Sequence, residues 1–451
     1  MKNALRIGAG SAWWGDRIEP AALNAAKGDL DYLSFETMAE ATISAAQVRK
    51  RRDPAFPGYD TYLDDRMQAV LPACLERGTR IITNQGWINP EGAAQRIVHW
   101  LRELGARGIK VAAVSGSLIT ERVLELTDTI LETGGPTSSL TQNLVSAEVY
   151  LGAEPIVDAL KQGAMIVVSG RVADPSIFMA PMMYEFGWDP LDHERLGRGN
   201  GIGHLLECGA QVTGGYFADP GFKDVPEPWN LAFPIAEVDA DGNAVITKVN
   251  GTGGAVNVQT VKEQMFYEVH DPANYITPDV VVDFTTAKLA QVGANRVSVS
   301  GISGKPRTPT LKVSIGCMEG FIGEDMFFYA GPGALRRAQL AKRILEERFK
   351  IVGLDAEELR IDFLGLNAIH GAMSPSAQSE PYEVAVRVAA RCKTREEAIK
   401  VGREVDGMAV SGVAMTGKRV PHQERTREII GVWSSLVARE KIKPTISYFE
   451  S

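Results

Sequence analysis

The sequence is poor in cysteine, and its cysteines are far apart. The 451 residues include only four, Cys74, Cys208, Cys317 and Cys392, and no two form a CxxC pair. This spacing predicts neither a zinc site nor a disulfide framework, so reduced thiols are expected. The six histidines contain no HExxH motif and no pair at ligand spacing, and they predict no metal site.

Long hydrophobic runs and an excess of positive charge are also missing. No apolar run reaches the roughly 18 to 20 residues of a membrane span, and the start, MKNALRIGAG, lacks the apolar core of a signal peptide. The net charge of −8 argues against a nucleic-acid-binding face. We therefore expect a cytoplasmic protein with no nucleic-acid or membrane partner. The one basic run, residues 49–52, is interpreted as a solvated helix end.

What is present is the composition of a globular protein, with 45% hydrophobic and 23% charged residues. A chain of this length exceeds one ordinary hydrophobic core, so a second domain is expected. From residue 1 to 290, short β-branched runs alternate with helical patterns, which is typical of parallel βαβ units. We predict an α/β body with a mostly parallel open sheet and helices on both faces. The predicted strands are 5–8, 32–35, 80–84, 110–114 and 164–169, and the predicted helices include 39–49 and 90–105.

After residue 290 the pattern changes to strands of two-residue period followed by long helices. The resulting ββαββα order predicts a smaller α+β layer over residues 291–430, and a ferredoxin-like arrangement is one that fits. Residues 431–451 are expected to form a tail that packs on the body or on a partner subunit. Its apolar residues Ile442, Ile446 and Phe449 favour a homo-oligomer. The predicted elements of this half are strands 296–300, 311–315, 359–363 and 382–390, and helices 332–349 and 394–405.

The first strand leads into GAGSAWWGDR, which matches a dinucleotide-binding fingerprint only in part. Trp13 stands where GxGxxG needs a third small residue, so no dinucleotide cofactor is predicted, although Glu36 stands near the position of a ribose-binding acid. Two interpretations remain open. Either Asp16 and Arg17 face a ligand cleft, or the segment is a tight turn that places Trp13 and Trp14 in the core.

Polar residues follow two further predicted strands, where ligands of open parallel sheets bind. TNQGWINP supplies Asn84 and Asn89, whose amides suit a carboxylate or carbonyl, although the same residues also favour turns before a helix. The apolar strand ending in VVSGRVADPS delivers Arg171 and Asp174. Arginine suits bidentate binding of an anion and the aspartate could act as a base, or the two could form an ion pair that braces the loop.

A second glycine-rich element, VNGTGGAVNVQTV, predicts a strand, a loop and a helix. The N–H groups of Gly251, Thr252, Gly253 and Gly254 could form an anion site at the helix N-terminus, and a structural turn is the alternative. No GK[ST] follows, so ATP is not implied.

One histidine has neighbours of interest, because His204 and Glu207 share a predicted helix face next to Cys208. These residues could supply a base, a nucleophile or part of a metal site. A core histidine and cysteine are the favoured interpretation.

Five blocks, GAGSAWWGDR, TNQGWINP, YLGAEPIVDALKQGAMIVVSGRVADPS, ECGAQVTGG and GTGGAVNVQTVKEQMFYEVHDPANYITPDVVVDF, together resemble the acyclic terpene utilisation family, the AtuA-like proteins of bacterial catabolic operons. The resemblance implies chemistry on acyl-CoA esters or small carboxylates. Some relatives carry an additional small C-terminal domain that this chain lacks, which implies either a separate small subunit or none. The family transfers no catalytic role to any residue.

These observations lead to the hypothesis of a catabolic enzyme, a lyase or hydratase that acts on a small carboxylate or acyl-CoA-linked acid by acid-base catalysis. In it Arg171, Arg17 and the 251–254 loop hold the anion, Asn84 and Asn89 bind substrate, and Glu36, Asp174 or Asp16 moves the proton. No cofactor is predicted, although carboxylate-rich loops could recruit Mg²⁺. The alternatives are an accessory subunit that binds a CoA ester for a carboxylase or transferase, and a hydrolase that uses Cys208.

Overall fold

The computed structural model describes residues 4–375, 379–418 and 425–451. As far as residue 186 the chain alternates strands and helices: β1 (Ala4–Ser11), α1 (Glu19–Lys27), β2 (Tyr32–Phe35), α2 (Thr42–Arg52), α3 (Leu63–Arg77), β3 (Arg80–Thr83), α4 (Pro90–Glu103), β4 (Lys110–Ser115), α5 (Val123–Leu126), β5 (Leu144–Val149), α6 (Glu154–Lys161), β6 (Ile166–Ser169) and α7 (Asp174–Phe186).

The rest of the chain is richer in strands. In order it forms α8 (His193–Glu207), β7 (Pro234–Asp239), β8 (Ala244–Lys248), α9 (Val258–Phe266), β9 (Tyr275–Ile276), β10 (Val281–Asp283), β11 (Lys288–Gly293), β12 (Arg296–Ser300), β13 (Ser303–Lys305), β14 (Thr310–Ala330), α10 (Ala334–Ile351), β15 (Glu358–Leu364), β16 (Glu383–Cys392), α11 (Arg395–Ser411), β17 (Gly417–Lys418), β18 (Thr426–Ala438) and β19 (Thr445–Glu450).

The largest sheet has ten strands in the order β11-β12-β8-β7-β1-β2-β3-β6-β4-β19. Its centre, β1-β2-β3-β6-β4, is parallel, and the pairings that flank this centre are antiparallel. The fold is therefore α/β with a large mixed sheet, and the expectation of a mostly parallel sheet is wrong. Short hairpins that join β7 to β8 and β11 to β12 cause the difference, since such connections can link only antiparallel strands.

The central strands are apolar because they are buried on both faces. Leu33 of β2, Ile82 of β3 and Val167 of β6 have no exposed surface. Since these strands are parallel, their carboxyl ends lie at one edge of the sheet, and the loops that follow β2, β3 and β6 meet there. No helix in the described part of the chain is long and apolar enough to cross a membrane.

The chain divides into two compact units. The first comprises residues 1–316 and 432–451, and the second comprises residues 317–431. The boundary lies after the predicted position at residue 290, because β11 and β12 join the large sheet and so belong to the first unit. The C-terminal segment also lies in the first unit, where β19 pairs with β4 and sets Ile446 opposite Val114 and Phe449 opposite Val111.

The second unit contains the latter half of the long strand β14, followed by α10, β15, β16, α11, the two-residue β17 and the first half of β18. The sheet order is β15-β16-β14, and β17 and β18 also pair with β14. Apart from the short β17, the element order is β-α-β-β-α-β, not the expected ββαββα, because the predicted strand 296–300 is β12 of the large sheet and β18 supplies a last strand. A separate core includes Phe327, Leu345, Val386 and Val401.

Two glycines test the packing inside each unit, since replacing them by alanine should change the free energy of unfolding in opposite directions. Gly10 lies within β1, and a Cβ there would approach the buried ring of Phe35 to 2.5 Å. Gly407 lies in α11, and a Cβ there would meet nothing within 4 Å. We expect Gly10→Ala to lower the free energy of unfolding of the first unit by about 1–3 kcal/mol through overpacking. Gly407→Ala should instead stabilise the second unit by about 0.5–1 kcal/mol.

Urea denaturation, followed with probes in each unit, measures both changes. Equal effects of the two substitutions would contradict the packing described around Phe35.

Candidate functional site

Polar side chains from two loops at the carboxyl edge of the parallel strands contact one another. Glu36 and Thr37 follow β2, and Asn84 follows β3. Asn84 Nδ2 donates to Glu36 Oε1 at 3.1 Å, and Asn84 Oδ1 accepts from the Thr37 N–H at 2.8 Å. The Met38 N–H also donates to Glu36 Oε1, at 2.5 Å. These donors hold the Glu36 carboxyl group in one orientation.

Arg171 follows β6 and is buried, with 2% of its surface exposed. Its Nη1 donates to the Met38 carbonyl oxygen at 3.0 Å. Its Nε and Nη2 donate to the Val172 carbonyl oxygen at 2.9 and 2.6 Å, and Nη2 also bonds to Asp174. A guanidinium has five N–H donors, so one, on Nη1, is left over.

These contacts correct two expectations. Arg171 cannot offer a bidentate fork to a ligand while its donors are engaged in this way. The ion pair that braces the loop, which sequence analysis held as the alternative, is the observed arrangement. Asp174 is thus the partner of Arg171, and it is not a free base.

Three buried glutamates respond to the positive charge of Arg171. Burial raises the pKa of Glu36 to about 8, and the charge of Arg171 is the largest opposing effect. Burial also raises the pKa of Glu148 well above its ordinary value, against the attraction of Arg171. The pKa of Glu207 is raised by burial and opposed first by His204, with a smaller effect from Arg171. A pKa of about 8 leaves the Glu36 carboxyl group mostly protonated at neutral pH.

His204 and Glu207 form a buried pair on α8, with 2.6 Å between His204 Nδ1 and Glu207 Oε1. The imidazole lies against the rings of Tyr275 and Phe284, at centroid distances of 5.1 and 5.8 Å. Sequence analysis favoured a core histidine, and the residue does lie in the core. Its partner, however, is electrostatically coupled to the site, because the charge of Glu207 contributes to the raised pKa of Glu36.

Several buried polar atoms in this region have no hydrogen-bond partner among the described residues. They are Glu148 Oε1, His204 Nε2, Glu207 Oε2, and both Asn200 Oδ1 and Asn200 Nδ2. Each such atom costs about 1–3 kcal/mol when it stays unpaired. Native interiors rarely tolerate several together, so their concentration marks a place where polar ligand atoms or water would be stabilising.

The first loop does not contribute in the expected way. Asp16 accepts from the N–H groups of Ala12 at 2.9 Å and Arg17 at 2.8 Å, which makes it a brace of the turn, and burial raises its pKa. Arg17 is exposed, and its guanidinium bonds to the Trp229 carbonyl oxygen at 3.4 Å. The alternative of a core turn is also wrong, since Trp13 and Trp14 are 49% and 38% exposed.

Asn89 serves the local structure. Its Oδ1 caps α4 by accepting from the Gly92 N–H at 3.0 Å, and its Nδ2 donates to the Pro57 carbonyl oxygen at 2.8 Å. Since both ends of the amide are engaged, we no longer place it in a ligand site.

The glycine-rich loop after β8 has several of its donors engaged within the protein. The N–H groups of Gly253 and Gly254 donate to the carbonyl oxygens of Asn230 and Pro226, at 2.9 and 2.7 Å. The hydroxyl of Thr252 donates to the Val249 carbonyl oxygen at 2.6 Å.

N–H groups at the start of α9 are also engaged, because the side chain of Asn257 accepts from those of Gln259 and Thr260. Gly251 adopts a φ of 75°, which favours glycine. These bonds favour the structural turn, and they leave the N–H groups of Gly253 and Gly254 unavailable to the anion site proposed for residues 251–254.

Sequence reasoning assigned no role to Glu148 and set Glu207 aside. The signal for Glu148 is the two-residue alternation of Ser146 and Glu148 in β5, two polar side chains that are buried. No group of three or more His, Cys, Asp or Glu side chains within the described ranges could hold a metal ion.

Arg66 holds the backbone of the first loop by hydrogen bonds, and its replacement tests this arrangement. It is fully buried, and it bonds to Asp60 at 2.6 Å and to the Trp14 carbonyl oxygen at 2.7 Å. We expect Arg66→Met to destabilise the first unit by about 3–5 kcal/mol, because it leaves the Asp60 carboxylate buried and unpaired. Arg17→Met, an exposed change in the same loop, should cost less than about 0.5 kcal/mol.

Denaturation followed by tryptophan fluorescence measures both effects, since Trp13 and Trp14 lie in this loop. A loss for Arg66→Met no larger than that for Arg17→Met would contradict the assignment.

The comparison with known proteins agrees with the sequence blocks described above. The sequence profile described as acyclic terpene utilisation family protein AtuA matches residues 5–448, nearly the whole chain. No curated protein matches the chain. The profile match confirms the family resemblance, and the chain belongs to the acyclic terpene utilisation family, AtuA.

Proposed function

We propose that this chain is a cytoplasmic catabolic enzyme that acts on a small carboxylate or an acyl-CoA-linked acid by acid-base catalysis, as a lyase of the hydratase type. The observation that carries the proposal is the buried Glu36 carboxyl group, whose pKa is raised to about 8 beside Arg171. A group with a pKa near the working pH can both donate and accept a proton, which is what general acid-base catalysis needs.

Hydration of a double bond requires one group that takes a proton from water and one that delivers a proton to carbon. In our proposal protonated Glu36 delivers the proton, and His204 Nε2, backed by Glu207, accepts the proton of the attacking water. The reverse direction exchanges the two roles. The step balances, because the water supplies the hydroxyl group to one carbon and Glu36 supplies a proton to the other. His204 holds the proton that the water loses, and this proton later restores Glu36.

Arg171 supplies a fixed positive charge for the developing enolate-like oxygen, through the N–H left on Nη1. Asn84 orients Glu36 and is a positioning residue. Asp16 and Asp174 have no part in the proton transfer, since both are engaged elsewhere.

The alternative of a hydrolase that uses Cys208 has less physical support. Burial raises the pKa of the Cys208 thiol, and the neighbouring negative charge of Glu207 adds to the effect. A thiolate nucleophile needs a lowered pKa. The other alternative is an accessory subunit that binds the same ligand. It differs from our proposal only in that the bound ligand should undergo no chemical change.

We further assign the second unit to the ferredoxin-like type. Its β-α-β-β-α-β order and the antiparallel β15-β16-β14 pairing support this assignment.

Replacement of Glu36 by glutamine tests the central residue. A panel of unsaturated small carboxylates and acyl-CoA esters should yield a substrate whose turnover falls by about 100-fold or more in Glu36→Gln. Glu76→Gln, on the exposed side of α3, is the matched control and should retain full activity.

The same variant makes a prediction about stability. A carboxyl group whose pKa is raised on folding contributes stability at low pH and loses it as the pH rises from about 4.5 towards about 8. As the pH rises across this range, the free energy of unfolding of Glu36→Gln in urea should therefore increase progressively relative to that of the wild type. A difference that is constant with pH, or activity that survives the substitution, would remove Glu36 from the proposed role.

Thiol chemistry separates our proposal from the cysteine hydrolase. Burial raises the pKa of Cys74 to about 12 and of Cys317 to about 11, and it also raises those of Cys208 and Cys392. In the native state at pH 8 we expect none of the four to react rapidly with a disulfide reagent, whereas all should react in denaturant. Rapid labelling of Cys208 with loss of activity would favour the hydrolase.

A further inference from the structure

A surface pocket of about 560 Å³ lies in the first unit beside the C-terminal end of α2. Gln47 and Arg51 of α2 line one side, and Thr120, Glu121 and Arg122 of a short 3-10 turn line the other. The volume falls within the range of small-molecule sites, roughly 300–1,000 Å³. The basic end of α2, expected to be a solvated helix end, thus contributes to a concave surface.

Two guanidinium groups are available in this pocket. Arg51 Nη2 donates to the Val145 carbonyl oxygen at 2.8 Å, which holds the group in the wall. Within residues 4–375, 379–418 and 425–451, neither Arg51 nor Arg122 forms an ion pair. The hydroxyl oxygen of Thr120 accepts from the Ala147 N–H at 2.9 Å, so its proton is left to donate.

We propose that this pocket binds a phosphate-bearing small molecule, with Arg51 and Arg122 as the residues that hold the phosphate. Guanidinium groups match the geometry of phosphate oxygens and form charge-assisted bonds with them. Two cations and the one carboxylate, Glu121, leave a net positive charge that attracts an anion. The several terminal oxygens of a phosphate can accept from both guanidinium groups at once, which the two oxygens of a carboxylate do less well. The exposed apolar side chain of Leu118 is available to the rest of the ligand.

The pocket shares a wall with the candidate site. Leu118, which lines the pocket, forms a β-bridge with Glu148. Ser117 Oγ accepts from the Arg171 N–H at 3.2 Å. Along β5, Val145 and Glu148 are three residues apart, which is roughly 10 Å, and residues an odd number apart project from opposite faces of a strand. We extend the proposal to the substrate, whose handle would carry the phosphate while its reacting end lies at the buried carboxyl groups. Only this last step rests on the proposed function.

Calorimetric titration of the full chain with inorganic pyrophosphate tests the pocket. We expect saturable binding by the wild type, and a loss of about tenfold or more in affinity for either Arg51→Met or Arg122→Met. Arg49→Met is the control for net charge, since Arg49 stacks on Phe56 at 4.2 Å and does not line the pocket. This variant should bind within about twofold of the wild type. Unchanged melting temperatures would show that the variants fold.

Absence of saturable binding by the wild type, or an equal loss in Arg49→Met, overturns the proposal. The result is independent of the acid-base assignment, because Glu36→Gln should leave pyrophosphate binding unchanged. Failure of the pyrophosphate experiment and failure of the Glu36 experiment are therefore distinguishable. If the phosphate belongs to the substrate, Arg51→Met should also raise the KM of the substrate and leave kcat nearly unchanged.

Discussion

The candidate site depends on one guanidinium group placed in the interior of the first unit. A buried cation is costly unless hydrogen bonds and opposite charges surround it. Arg171 obtains its hydrogen bonds from the carbonyl oxygens of Met38 and Val172, which belong to the loops after β2 and β6. It therefore joins the ends of two strands that lie on either side of β3, and it fixes the loop that carries Glu36.

The opposite charges come from carboxyl groups, and there are more of them than one arginine can compensate. Asp174 forms the direct ion pair, while Glu36, Glu148 and Glu207 experience the charge of Arg171 at longer range. Burial opposes ionisation of all three glutamates. The charge of Glu207 also raises the pKa of Glu36, so these two carboxyl groups influence each other's titration.

Sequence patterns predicted part of this arrangement. Glu36, Asn84 and Arg171 each follow a short apolar strand, and parallel strands bring such positions to one edge, so their proximity followed from topology. Glu148 was missed because it lies in β5, which was not among the predicted strands. The Gly253 and Gly254 pattern was misleading for a different reason, since glycines that expose N–H groups to an anion and glycines that permit close backbone contact have the same sequence. Only the partners of these N–H groups distinguish the two.

The central claim is that a carboxyl group in this cluster keeps its proton at neutral pH, and carbon-13 NMR of protein labelled at the glutamate carboxyl carbon tests it most directly. Our account predicts one resonance that titrates near pH 8 in the wild type and is absent from Glu36→Gln. Titration of every glutamate in the ordinary acidic range would contradict it.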